Sequence, residues 1–206
     1  NWEREHGSEV RTGVEGRDRY SAGNRDEREI GEEMFYRTMA ELVPIVEREG
    51  IRSEMQTHPW DFCEDSNEAA DIVKSFRSDN VKYVYSVPHT FFYDKGVGDV
   101  EKMLRYAGSD LSHVLIADTR NHTKHCRYIV NPPGVDAVVH QHVGVGEGDV
   151  DFDALFRTLR DMKFAEQTFK VGGEPIVATS LFGYPEKMKY QAVETRELIE
   201  RELLRR

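Results

Sequence analysis

Apolar positions recur at helical spacing between Glu32 and Glu49, where Phe35, Met39, Leu42, Val43 and Val46 share one face. Pro44 is expected to bend this helix and Gly50 to end it. Ile51–Thr57 then reads as a short strand, followed by turn material at His58-Pro59. A second helical segment, Glu68–Phe76, carries Ala69, Ile72, Val73 and Phe76 inward, and Val81–Val87 is a Val- and Tyr-rich strand. The pattern repeats with a short helix at Asp99–Tyr106, a strand at Ser112–Ala117, a helix at Phe152–Met162, a strand at Pro175–Phe182 and a charged amphipathic helix at Lys187–Leu204. Between the third strand and its helix runs a long His- and Pro-rich loop, Asp118–Gly148.

Alternating helices and strands with connections of this length predict a parallel sheet covered by helices. Four strands are visible, whereas a complete (β/α)₈ barrel has eight in about 250 residues. The fold class expected is therefore an α/β TIM barrel of which this chain covers roughly the C-terminal half, within residues 30–206. Residues 1–29 are polar, lack apolar periodicity and read as a loop or flexible arm preceding the barrel elements. A doubly wound sheet is the structural alternative, but no Gly-rich phosphate turn joins a first strand to its helix. The run Gly144-Val145-Gly146-Glu147-Gly148 lacks the dinucleotide spacing.

The chain has 206 residues, 38% of them hydrophobic, which is enough for a core of ordinary size. No apolar run reaches the roughly 18–20 residues of a membrane span, and no leader-like segment opens the sequence, so no membrane partner is expected. The opening Asn1-Trp2 lacks an initiator Met, so a preceding part of the natural protein is expected. Cys63 and Cys126 do not make a disulfide framework, which favours a reducing, cytoplasmic compartment. The net charge is −10 and the basic stretch Arg120–Arg127 holds just three Lys/Arg residues. Duplex binding needs clustered cations to neutralise phosphates, so no nucleic-acid partner is expected.

In a parallel barrel the chemistry sits at the carboxyl ends of the strands. Six of the eight histidines follow strand ends or lie in the long loop: His58, His89, His122, His125, His140 and His142. Imidazole both ligates metals and moves protons near neutral pH. His6 and His113 fall outside this set and read as structural. The His122/His125 spacing and the His140-Gln141-His142 run offer donors for one divalent metal, Mn, Zn or Co. Trp60, Phe62, Phe91, Phe92 and Tyr93 are positioned either to stack on sugar rings or to plug the barrel mouth, and Arg120, Lys124 and Arg127 to hold an anion or simply to be solvated.

These strand ends resemble the xylose isomerase-like TIM-barrel superfamily of sugar isomerases and epimerases. The runs MQTHPWDFCE (55–64), PHTFFYD (88–94), ADTRNHTKHCRYIVNPPGVDAVVHQHVG (117–144) and GYPEKMKYQAVE (183–194) look most like IolH-type proteins of myo-inositol catabolism. The resemblance spans about residues 30–206. It implies a barrel whose last four strands would hold a divalent metal with Glu, Asp, His and Glu. Those ligand positions fall here on Gln56, Ser86, Leu115 and Ser180. Leu cannot ligate a metal, and a neutral amide and two hydroxyls are poor replacements for carboxylates.

The leading expectation is an isomerase, epimerase or dehydratase of a polyhydroxylated carbonyl compound, in inositol or related carbohydrate catabolism. Chemistry next to a carbonyl requires a base and an electrophile. His58 or His89 is assigned as acid or base, Asp118 as its orienting partner, and His140 or His142 as electrophile or ligand. Gln56, Trp60, Phe92 and Arg127 are assigned to substrate binding, and His122, His125 and His140 to the metal. The alternative is a catalytically inactive relative that binds sugar or scaffolds a partner in the same pathway. A DNA-repair nuclease of related fold is disfavoured by the charge. A half barrel would expose apolar edges, so a homo-oligomer is expected.

Overall fold

The structure, a computed structural model, describes residues 25–58, 63–92, 98–121, 128–130, 135–137, 142–182 and 185–204. Helix α1 (Arg25–Glu49) leads into β1 (Ser53–Gln56), α2 (Ser66–Ser75), β2 (Val81–Ser86), a short α3 (Val87–Phe92), α4 (Val100–Ala107) and β3 (Leu111–Ile116). The small strands β4 (Tyr128–Val130) and β5 (Val135–Ala137) pair antiparallel, and α5 (Phe152–Asp161), β6 (Ile176–Thr179) and α6 (Pro185–Ile199) complete the order. A π turn, Glu200–Leu204, extends α6.

The four longer strands form one sheet in the order β1-β2-β3-β6, every neighbouring pair parallel. Sequential parallel strands with intervening helices are the arrangement of half a (β/α)₈ barrel. The register aligns Gln56 with Val84, Val84 with His113, and His113 with Ile176.

Local sequence explains the covering helices. Asp65 caps α2 by accepting from the backbone N–H groups of Asn67 and Glu68 at 2.9 and 3.1 Å. Asp99 and Asp151 cap α4 and α5 in the same way, through Lys102 and Ala154. Each satisfies donors that the first helical turn leaves without partners, worth about 1 kcal/mol per cap. The caps set the helix phase, so Ala69, Ala70, Ile72 and Val73 of α2, Leu104 of α4, and Leu155 and Leu159 of α5 turn toward the sheet. They meet Tyr83, Tyr85, Leu111, Val114 and Ile116, all completely buried. Burying each large apolar side chain contributes about 1.5–3 kcal/mol.

Tyr83 donates its hydroxyl to Ser66 Oγ of α2 at 3.0 Å, which identifies the helix-facing side of β2. By alternation, Lys82, Val84 and Ser86 lie on the opposite, lumen side, with Glu54 and Gln56 of β1. Near the strand starts on that side, Glu54 accepts from Ser112 Oγ at 2.7 Å, pairs with Arg52 Nε at 3.0 Å and meets His113 Nδ1 at 3.1 Å. Burial alone would raise the Glu54 pKa, but His113, Ser112 and Arg52 together bring it below the ordinary value. His113 is thus structural, at the end of the sheet opposite the strand carboxyl termini.

Three elements differ from the expectation. The first helix starts at Arg25, inside the segment read as a loop or arm. Val87–Phe92 is helical where the end of a strand and a loop were expected. Pro88 suits a first helical turn because its missing N–H needs no partner there, and Thr90 Oγ1 donates back to Ser86 O at 2.8 Å. The long loop holds the β4–β5 pair, and its end returns to the sheet through a bridge between Asp118 and Val143.

Candidate functional site

Three histidines converge where β1, β2 and the returning loop meet. His58 follows β1, His89 sits in α3 one turn past β2, and His142 ends the long loop. The His58 and His89 rings meet edge-on with centroids 4.7 Å apart, and those of His89 and His142 lie 4.9 Å apart. His89 and His142 are 5% and 3% exposed, and their Nε2 atoms stand 3.0 Å from one another.

The opposite edge of each ring faces a backbone carbonyl. His89 Nδ1 lies 2.8 Å from Thr57 O, and His142 Nδ1 lies 2.7 Å from Ser180 O and 3.1 Å from Ser180 Oγ. A carbonyl only accepts, so each of these contacts favours a proton on the Nδ1 it faces. Gln56 reaches the same nitrogen, its side-chain amide 3.0 Å from His89 Nδ1. The amide end placed there is Nε2, so His89 Nδ1 faces both a carbonyl acceptor and an amide donor. Burial, the largest influence, pushes both imidazoles down to a pKa of about 4, against the opposing effect of the backbone carbonyls. Both rings are therefore neutral at pH 7. Phe182 stacks on His142 with centroids 4.0 Å apart and planes inclined by 14°, while remaining 60% exposed.

Asp118 is placed differently from its expected role as an orienting partner. Its carboxylate accepts from four backbone N–H groups: Thr119 and Val150 on Oδ1 at 2.8 and 3.2 Å, Gly146 and Gly148 on Oδ2 at 2.9 and 2.8 Å. The orienting contacts to His89 and His142 come instead from Thr57 and Ser180 carbonyls. Burial holds the Asp118 pKa above the ordinary carboxyl value in spite of the four amides. The glycine run finds its reason here, because Gly146 has φ +92° and a Cβ on Gly148 would collide with Asp118 and the Thr119 carbonyl. Asp118 also pairs with Val143 through two 2.9 Å backbone hydrogen bonds, which sets the position of His142 next door.

Of the sequence-assigned residues, Gln56, His58, His89 and His142 are brought together. Trp60, His122, His125, Arg127 and His140 lie outside the described residues, as does the side chain of Phe92. Thr57 and Phe182 were not assigned roles, and Ser180 entered only as the counterpart of a family ligand position. Ser180 and Phe182 stand at the end of the strand expected over Pro175–Phe182, the one further signal that pointed toward them.

The family pattern of Glu, Asp, His and Glu implies a divalent metal, and the residues present do not fit that site. Gln56 engages His89, Leu115 has no donor atom, and Ser180 turns to His142. Ser86 Oγ is buried with no hydrogen-bond partner among the described residues. No group of three or more His, Cys, Asp or Glu among the described residues is arranged to hold a metal ion.

Comparison with known proteins agrees with the architecture. The chain is similar in fold to a zinc-bound IolI protein, at a TM-score of 0.54 and 21% identity, over 81% of this chain and 55% of that one. It is likewise similar to a xylose isomerase domain protein from Planctomyces limnophilus, at 0.56 and 17%, over 81% and 51%. A D-psicose 3-epimerase crystallised with D-fructose matches at 0.54 and 14%, over 80% and 54%. At these identities the likeness is one of fold. The chain spans about half the length of each. No curated protein matches the sequence. Residues 10–174 match the family described as xylose isomerase-like TIM barrel, and the chain belongs to that family.

Proposed function

We propose that the protein is a sugar isomerase or epimerase that moves a proton next to the carbonyl of a polyhydroxylated compound, in inositol or related carbohydrate catabolism. The observation that carries this reading is the buried pair His89–His142. Two imidazoles, neutral at pH 7, bring their Nε2 atoms together at the end of the sheet where barrel chemistry is done. The IolH-like runs support the pathway, and the fold neighbours include a D-psicose 3-epimerase and an L-ribulose 3-epimerase.

In this reading a substrate C–H proton passes to an imidazole Nε2, and the adjoining Nε2 accepts a hydrogen bond from the imidazolium that forms. The proton then returns to the enediolate. His58, at the rim, is the exchange partner with bulk water. Gln56 holds His89 and presents the remainder of its amide to substrate hydroxyls. The exposed face of Phe182 is the platform for the C–H face of a sugar. A cytoplasmic location and a homo-oligomer belong to the same reading. Among the described residues, no helix is long and apolar enough to cross a membrane.

A second reading is favoured by Gln56, Ser86, Leu115 and Ser180 at the family's ligand positions: a relative that binds sugar or a partner without turnover. Replacing both His58 and His89 by Ala separates the two. Loss of inosose or ketose turnover in a folded double variant supports the enzyme. Unchanged turnover overturns the assignment, and binding with no turnover by either protein favours the second reading.

A further inference from the structure

The ligand positions implied by the family fall on the ends of four neighbouring strands, at Gln56, Ser86, Leu115 and Ser180. The structure shows what stands between the outer two. Gln56 ends β1, and its amide nitrogen lies 3.0 Å from His89 Nδ1. Ser180 follows β6, and its hydroxyl lies 3.1 Å from His142 Nδ1. The rings meet in the middle, with their Nε2 atoms 3.0 Å and their centroids 4.9 Å apart. Gln56, His89, His142 and Ser180 thus make one chain of contacts from the first strand of the sheet to the last. Side chains that share one ion, with bonds of about 2.0–2.2 Å, bring their donor atoms within about 4.4 Å of each other. Here two imidazole rings separate the outer positions.

The inner positions add no charge. Leu115 has no donor atom, and Ser86, its partner in register, brings one neutral hydroxyl that is completely buried. The nearest carboxylates are spent elsewhere. Glu54 lies toward the strand starts, held by Ser112, Arg52 and His113, and Asp118 is held by four backbone N–H groups. A buried charge is costly unless it is paired. With no carboxylate at the four positions, a divalent ion placed among them would itself be the unpaired charge.

We infer that these positions form a neutral clamp in place of a metal cage: Gln56 and Ser180 are positioning residues for the His89–His142 pair, which fills the place of the family's cation. The centre then takes its polyhydroxylated ligand without a divalent ion at those positions. The nature of that ligand rests on the functional reading above; the clamp rests on the contacts alone.

The test follows the imidazole ¹⁵N signals of His89 and His142 and the methyl signals of Leu115, during chelation of the purified protein and then during addition of manganese(II) or zinc. All should stay unmoved. An ion bound among the four positions would broaden or shift them together, which overturns the inference; zinc bound without moving them lies elsewhere and upholds it. In the folded protein, Gln56→Ala should shift the His89 signals and, through the Nε2 contact, those of His142, and Ser180→Ala should do so in the reverse order. Gln56→Asn, which keeps an amide, should shift them less than Gln56→Ala. Imidazole signals indifferent to both alanine variants would overturn the clamp. Turnover lost on chelation and restored by manganese or zinc would also overturn it. Absence of turnover with every sugar would sink the functional reading, while the ring and methyl signals still decide the clamp.

Discussion

Asp118→Asn discriminates between two roles for the same carboxylate. The side chain is 1% exposed and both oxygens are occupied, each by two backbone N–H donors from Thr119, Gly146, Gly148 and Val150. An amide keeps one acceptor and presents an N–H₂ group to the other pair of donors. Each buried donor so stranded costs about 1–3 kcal/mol. Relief of the carboxylate's burial, which already raises its pKa, offsets part of that loss. The expected net destabilisation is about 2–4 kcal/mol, large for a single substitution. It should be read from urea unfolding monitored by far-ultraviolet circular dichroism. Because Val143 is paired to Asp118, the His142 ring should also move, and its Nδ1 contact to Ser180 should weaken. A loss below about 1 kcal/mol, with activity alone abolished, would refute this reasoning and restore Asp118 as the orienting partner of a histidine.

Other expectations follow from the same contacts. Gly148→Ala places a methyl group against Asp118 and the Thr119 carbonyl, so thermal unfolding should show a loss of about 1–3 kcal/mol. His89 and His142 have folded pKa values of about 4, below the ordinary 6.5, so the unfolded chain binds more protons between those values. Their stabilisation is complete above about pH 6.5 and is lost progressively toward pH 4, by up to about 3 kcal/mol per ring. Denaturant midpoints across this range should flatten in His89→Gln and His142→Gln, and an unchanged slope would contradict burial as the cause. Phe182→Ala removes the exposed stacking face, so sugar affinity should fall by about 0.5–1.5 kcal/mol without a matching loss of fold stability. Equal binding in calorimetry would count against the platform.

Much of the fold was legible because short-range signals agree with the final packing. A Val- and Tyr-rich run marked β2, a short apolar segment marked β3, and helical spacing marked α2, α4 and α5 to within a few residues. The helix α3 was not legible because its six residues, starting Val87-Pro88, are too few for periodicity and carry a strand-like Val. The convergence of His58, His89 and His142 could be anticipated from the rule that chemistry gathers at strand ends. The use of Asp118 could not, since its amide donors at Gly146, Gly148 and Val150 lie 28–32 residues further along the chain. Nor does any sequence pattern reveal that the Thr57 and Ser180 carbonyls hold two rings 53 residues apart. Local sequence marks which side chains are capable of chemistry; long-range backbone contacts decide their protonation and aim.

The most direct test of the central claim is hydrogen exchange in D₂O. Purified protein is incubated with inososes and ketoses, and substrate C–H signals are followed by proton NMR. Deuterium should enter at the carbon next to the carbonyl, catalysed by wild-type protein and lost in folded His89→Gln and His142→Gln variants. Exchange that continues unchanged in both variants, or no exchange with any polyhydroxylated carbonyl compound, would contradict the account.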